Sequence, residues 1–309
     1  MFDAELFAEV RTEFANYLRF TKGYSQATCY NYHSDLGIWV NWLQAVGKDW
    51  QRARPLEVEQ FIAWQLREKG VGVPIVARRL STLSTFYRWA KRNDLVTDVP
   101  TLLADKPKRP HRIPVWLDKT EQKRLEARLS QVDDLPANIF GQKRQHVVVI
   151  RQRYEILFLL LLYSGLRISE ALGLKVQDIR VVEGVAKSLR VIGKGNKERL
   201  VPLPAAFGEK LGDWLQGGSD PEFVFAQKPG GKPPSAAAAR AYLQRLKKRA
   251  GITKKISPHK LRHTYATRVL ETGAQLVDIQ ALLGHVNLAT TQIYTHVDED
   301  RMAAIVSKL

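Results

Sequence analysis

The run Ser257-Pro258-His259-Lys260-Leu261-Arg262-His263-Thr264-Tyr265, followed by Gly284-His285 and then Tyr294, decides how this chain is read. It brings together a guanidinium that keeps its charge, imidazoles that titrate near neutrality and a phenol able to act as a nucleophile. His259 and Arg262 are three residues apart, so on a helix they share one face. Two cationic motifs lie upstream: Arg167 in Ser164-Gly165-Leu166-Arg167-Ile168-Ser169-Glu170, and Lys194 in Gly193-Lys194-Gly195-Asn196-Lys197. Together these are the parts for phosphoryl transfer to a tyrosine without a metal.

Each motif also has a plainer reading. Lys194 suits a solvated hairpin tip, and its surroundings fail both the Walker pattern and the dinucleotide fingerprint, with Glu198 where a third glycine belongs. Arg167 suits a structural pairing with Glu170 at the start of a helix, and Glu170 reads as a buttress for an arginine rather than an acid or base. Of seven histidines, His259, His263, His285 and His296 lie close together in sequence. No His-Glu-x-x-His helix, cysteine pair or carboxylate cluster accompanies them, so no metal is expected. His263 reads as structural, and His296 has no assignment. Among ten tyrosines, Tyr163 and Tyr265 lie beside arginine motifs and compete with Tyr294, which sits nine residues after the Gly-His turn.

The order Arg167, Lys194, His259, Arg262, His285, Tyr294 resembles the active site of the tyrosine site-specific recombinases, nearest in wording to their Xer group. The resemblance spans the chain in outline and is strong from about Arg153 to Val297. It implies that Tyr294 attacks a DNA phosphate to give a 3′-phosphotyrosine. Arg167 and Arg262 would clamp that phosphate with support from His285, Lys194 would act as general acid and His259 as general acid/base. It implies no cofactor, a tetramer of identical or paralogous subunits on paired duplex sites, a four-way junction, and either chromosome dimer resolution or mobile-element integration and excision. Two alternatives are a type IB topoisomerase, whose residue set overlaps this one and which religates without exchange, and, from a different class, a non-catalytic DNA-binding regulator, against which the presence of all six residues argues.

Composition agrees with a polyanionic partner. The 309 residues carry a net charge of +17, with +4 on residues 1–110 (16 Lys and Arg, 12 Asp and Glu) and +13 on the rest (32 against 19). The single cysteine, Cys29, excludes an intramolecular disulfide framework and reads as a small buried apolar residue. The longest apolar run, Ile156–Tyr163, is too short to span a bilayer, and the acidic start Met1-Phe2-Asp3-Ala4-Glu5 lacks a signal-peptide pattern; a cytoplasmic protein is expected.

The expected fold is mainly α with a small antiparallel β element, as a two-domain, C-shaped DNA clamp. Residues 1–100 carry four helical patterns with aromatic core positions, the second capped by Ser25 and the third opened by Pro55. Residues 101–115, with Pro107, Pro110 and Pro114 among basic residues, read as a linker along phosphates. Residues 116–309 form the catalytic domain. In it, Thr120 and Glu121 open a helix, Arg153–Leu162 is an apolar helix, and 189–192 with 199–202 flank the Lys194 turn as a hairpin. Leu135–Ile150, with its β-branched run Val147–Ile150, resolves into neither helix nor strand. After Tyr294, Met302, Ile305, Val306 and Leu309 make an apolar stripe too short to stand alone, expected to dock on a neighbouring subunit.

Overall fold

A computed structural model describes residues 4–105, 107, 115–131, 141–193, 198–217, 222–228, 230–284 and 304–308, without the side chains of 141–144 and 276. The chain forms two compact units, Met1–Arg112 and Ile113–Leu309.

The first unit contains α1 (Ala4–Asn16), a π turn (Tyr17–Thr21), α2 (Gln26–Ala45), α3 (Pro55–Arg67) and α4 (Val73–Arg92). Ser25 caps α2 by accepting from the Thr28 amide at 3.3 Å. At α3, Pro55 takes the first position and Glu57 reaches back to the Arg54 amide at 2.9 Å. The core is aromatic: Phe14, Trp39, Trp50, Phe61, Phe86 and Tyr87 are all buried. Two of their polar edges are satisfied internally, since Trp39 Nε1 donates to the Tyr87 hydroxyl and that hydroxyl donates to the Trp50 carbonyl, each at 2.9 Å. Asp35 on α2 is buried and accepts from Arg78 and Thr82 on α4. Cys29 is half-buried rather than fully buried, because α2 turns it to the rim of this core.

The second unit contains α5 (Lys119–Ser130), α6 (Gly141–Ser164), α7 (Ile168–Leu172), β1 (Ile179–Val182), β2 (Val185–Ile192), β3 (Glu198–Pro202), α8 (Ala205–Gln216), α9 (Ala236–Arg249), α10 (Pro258–Glu271) and α11 (Leu276–Leu283). Helix α6 begins twelve residues before Arg153 and includes Val147–Ile150. β-Branched residues cost only a few tenths of a kcal/mol in a helix, on the order of the propensity scale. Burial of the Leu157–Leu162 end outweighs that cost.

The antiparallel sheet has the order β1-β2-β3. Ile179 pairs with Leu189 and Leu189 with Val201, so one apolar row faces the core. The β2–β3 hairpin is as expected. Strand β1 is an addition that sequence reading missed, because only Ile179 of its four residues is buried and alternation is absent.

Helix α8 lies against the β1–β2 hairpin through Gly208 and Gly212. A Cβ on Gly212 would stand 1.8 Å from the Gly184 carbonyl oxygen, and one on Gly208 2.3 Å from that of Ala186. Gly212→Ala gains about 1 kcal/mol of helix propensity. The backbone collision outweighs it, so the melting temperature is expected to fall by at least about 4 °C. An unchanged melting curve would show that α8 can slide off the hairpin freely.

The tail meets its own unit. Val306 is fully buried with Tyr265, Val269, Ile279, Leu282 and Leu283, and Ile305 packs against them. In the single chain these two residues pack on the apolar surface of their own unit. Met302 and Leu309 lie outside the described residues.

Candidate active site

Three segments meet around one carboxylate. At the end of α6 the backbone turns through Gly165 at φ +62°, where a Cβ would come within 2.4 Å of the Tyr265 ring. Only glycine suits that turn. Arg167 then caps α7, and Glu170 answers from the third helical position. Glu170 Oε2 accepts from the Arg167 amide at 2.8 Å, and Oε1 accepts from Arg167 Nη1 at 2.7 Å. From β3, Arg199 donates Nη2 to Glu170 Oε2 at 2.9 Å and Nη1 to Oε1 at 3.3 Å. From α10, Arg262 Nη1 stands 3.8 Å from Glu170 Oε2. Three guanidiniums share one carboxylate, which leaves two positive charges without a counter-charge from Glu170.

Arg262 is only 3 % exposed. Its Nη1 donates to the Gly165 carbonyl at 2.9 Å and its Nη2 to the Leu283 carbonyl at 2.6 Å. Those bonds use two of the five N–H groups of a guanidinium. Burial, reinforced by the Arg167 charge, draws its pKa down to about 10, so it remains charged at neutral pH. Burial pushes the Glu170 carboxyl up, but Arg199 and Arg167 outweigh it and hold the group below the usual carboxylate range. Arg167 differs in being open, with 38 % of its side chain exposed.

His259 is at the second position of α10, whose first turn is capped by Ser257 and begins with Pro258. Its ring meets that of His263 edge-on at 4.6 Å. Desolvation, then the Arg262, Lys260 and Arg167 charges, holds its pKa below the ordinary histidine value, so the imidazole is neutral at pH 7. Two bonds fix α10 to the start of the unit. The Leu117 amide donates to Thr264 Oγ1, and Arg268 Nη2 donates to the Leu117 carbonyl, each at 3.0 Å.

The structure therefore brings Arg167, His259 and Arg262 to one place. Lys194, His285 and Tyr294 lie outside the described residues. Helix α11 ends at Gly284 in the left-handed region, φ +64°, directly before His285. The competing tyrosines are poorly placed. Tyr265 is fully buried, and Tyr163 donates to Glu126 Oε1 at 2.9 Å; burial raises the pKa of both. Sequence reasoning missed Arg199. Its signal was present: in a strand with Val201 facing inward, Arg199 shares that face and needs a buried partner. Among the described residues, no three His, Cys, Asp or Glu side chains gather as a metal site, and no helix is long and apolar enough to cross a membrane.

Residues 142–301 match the phage integrase family, and residues 12–94 match its N-terminal SAM-like domain. This chain belongs to the phage integrase family. It is 35% identical over 309 residues to the tyrosine recombinase XerD of Proteus mirabilis, covering 95% of this chain and 90% of the relative. It is 34% identical over 301 residues to the tyrosine recombinase XerC of Bacillus licheniformis, covering 94% and 92%. Within the family it is thus an Xer-type tyrosine recombinase, an enzyme that cleaves and rejoins DNA strands at specific sites. The fold is shared with XerH bound to a palindromic difH substrate, at a TM-score of 0.69 and 19% identity over 96% of this chain and 83% of that one. It is likewise shared with a lambda integrase tetramer bound to a Holliday junction, at 0.66 and 19% over 94% and 80%.

Proposed function

We propose that Arg167 and Arg262 form the scissile-phosphate clamp of this recombinase, with Tyr294 as its nucleophile. The observation that carries the reading is the excess of positive charge around Glu170: three guanidiniums, one carboxylate, and almost no water at two of the three. Such a cluster stabilises an incoming dianionic transition state because its donors are already fixed. Glu170 sets the orientation of the arginines without neutralising them.

In this reading the Tyr294 oxygen attacks phosphorus, and His259, neutral at pH 7, takes the phenolic proton. The bond from phosphorus to the 5′ oxygen breaks, and Lys194 gives that oxygen its proton. His285 supports the clamp. A 3′-phosphotyrosine and a free 5′ hydroxyl result, and the phosphodiester energy stays in the covalent link. The 5′ hydroxyl of a partner strand reverses the step, joining strands through a four-way junction. The assembly is a tetramer on two paired duplex sites in the cytoplasm, with a paralogous recombinase as an alternative partner.

A nicked, labelled duplex carrying the protein's own site tests this: the expected products are a covalent protein–DNA adduct and recombinant joint molecules. Adduct and religation without joint molecules would place the protein with topoisomerases; binding with no adduct would make it a regulator.

The pH profile gives a separate check. A general base must be unprotonated, and the folded-state pKa of His259 is depressed. Single-turnover cleavage is therefore expected to be level from pH 7 to about 6.5, the reference histidine value, and to fall only below it. Loss of rate beginning above pH 7 would remove His259 from this role.

A further inference from the structure

Arg199 is absent from the six motif residues, yet it binds the site's framework at three points. Its side chain is 10 % exposed. Besides its two bonds to Glu170, its Nε donates to the Leu282 carbonyl at 3.0 Å. A Cβ on Gly284 would stand 3.2 Å from Arg199 Cδ and Nη1, so the guanidinium packs directly on the residue that ends α11. Arg262 takes the next carbonyl, that of Leu283. Two consecutive carbonyls at the C-terminus of α11 are thus occupied by two arginines, the charge that a helix C-terminus favours. Arg199 spends its donors on the protein's own oxygens, those of Glu170 and Leu282.

We propose that Arg199 is a positioning residue for strand cleavage, locking Glu170 and the Leu282–Gly284 turn into one piece and acting through Arg262 and Arg167. The inference rests on the reading that those two arginines clamp the phosphate. Arg262 is placed by Glu170, by the Gly165 carbonyl and by the Leu283 carbonyl; Arg199 bonds the first of these supports directly and the Leu282 carbonyl, the neighbour of the third. Being in β3, it also roots the strand that pairs with β2. An ordinary surface ion pair would do none of this, since it would neither be shielded from water nor bridge a carboxylate and a helix end.

The test uses the full-length protein and a nicked, end-labelled duplex carrying a site selected from a random-sequence library by the Tyr294→Phe protein. Arg199→Ala should lower single-turnover adduct formation about 100-fold, the scale of a misplacement of roughly 1 Å, while DNA affinity stays within about threefold. Amide exchange over Leu282–Gly284 should quicken at the same time. Arg199→Lys keeps the charge but cannot reach carboxylate and carbonyl together with a planar fork, so it should be about tenfold slower than the parent. Parent-like adduct formation by either variant, or unchanged exchange in Arg199→Ala, overturns the proposal. If Arg199→Ala does not fold, the rate and exchange of Arg199→Lys decide in the same way. A parent protein that forms no adduct at all would overturn the clamp reading and the cleavage role together. The exchange measurement would then still show, separately, whether Arg199 holds the end of α11.

Discussion

Tyr294→Phe binds DNA with the affinity of the parent and forms no covalent adduct: that is the expected result with the largest effect. Phenylalanine removes one oxygen and little else, so folding and phosphate contacts are spared while the attacking atom is gone. The described tyrosines of the catalytic unit offer no substitute. Tyr265 is sealed in the α10–α11 core with its hydroxyl unpartnered and its pKa raised by burial. Tyr163 is committed to Glu126. Tyr154 and Tyr242 stack on one another with ring centroids 4.1 Å apart, and burial raises the pKa of both. The readout is a denaturing gel of the nicked, labelled duplex, with peptide mass mapping of any adduct. An adduct formed by Tyr294→Phe would sink the assignment, and the mapped peptide would name the true nucleophile.

The second expectation concerns Arg262→Lys, which keeps the positive charge and should still lower single-turnover cleavage by about 10²–10³-fold, the usual effect of losing one fixed donor in such a site. Lysine is a point charge without a planar fork. It cannot meet the Gly165 and Leu283 carbonyls together while presenting donors to a phosphate. One buried carbonyl is left unpaired, which costs about 1–3 kcal/mol of stability. The melting temperature should accordingly fall, but the protein should remain folded and retain DNA binding. Cleavage within about threefold of the parent would reduce Arg262 to background electrostatics.

Much of the framework is legible in the amino-acid sequence. Ser25 before an apolar period marks the start of α2, Pro55 opens α3, and Gly284 ends α11. Each is a local signal, carried by one residue's hydrogen-bonding or backbone preference within a single turn. The pairing of Arg167 with Glu170 is local for the same reason, three residues along one helical turn. The pairing of β2 with β3 is readable because inward and outward residues alternate along 189–192 and 198–201.

Other features are not local. Helix α6 absorbs Val147–Ile150, whose β-branched composition favours a strand, because the helix continues into a buried leucine run. Strand β1 shows one buried residue in four and no alternation, so only its pairing with β2 makes it a strand. The docking of Val306 depends on where α10 and α11 leave apolar surface, which no stripe in the tail can report.

By itself the sequence determined which chemical groups this protein has, in what order, and on which kinds of element. Those follow from side-chain identity and from hydrogen bonds closed within a few residues. Only the tertiary structure decided which oxygens the arginines would hold. Arg262 reaches a carbonyl 97 residues away and Arg199 one 83 residues away. A partner at that separation is chosen by the packing of whole helices and strands, because a buried guanidinium must find its acceptors wherever the fold places them.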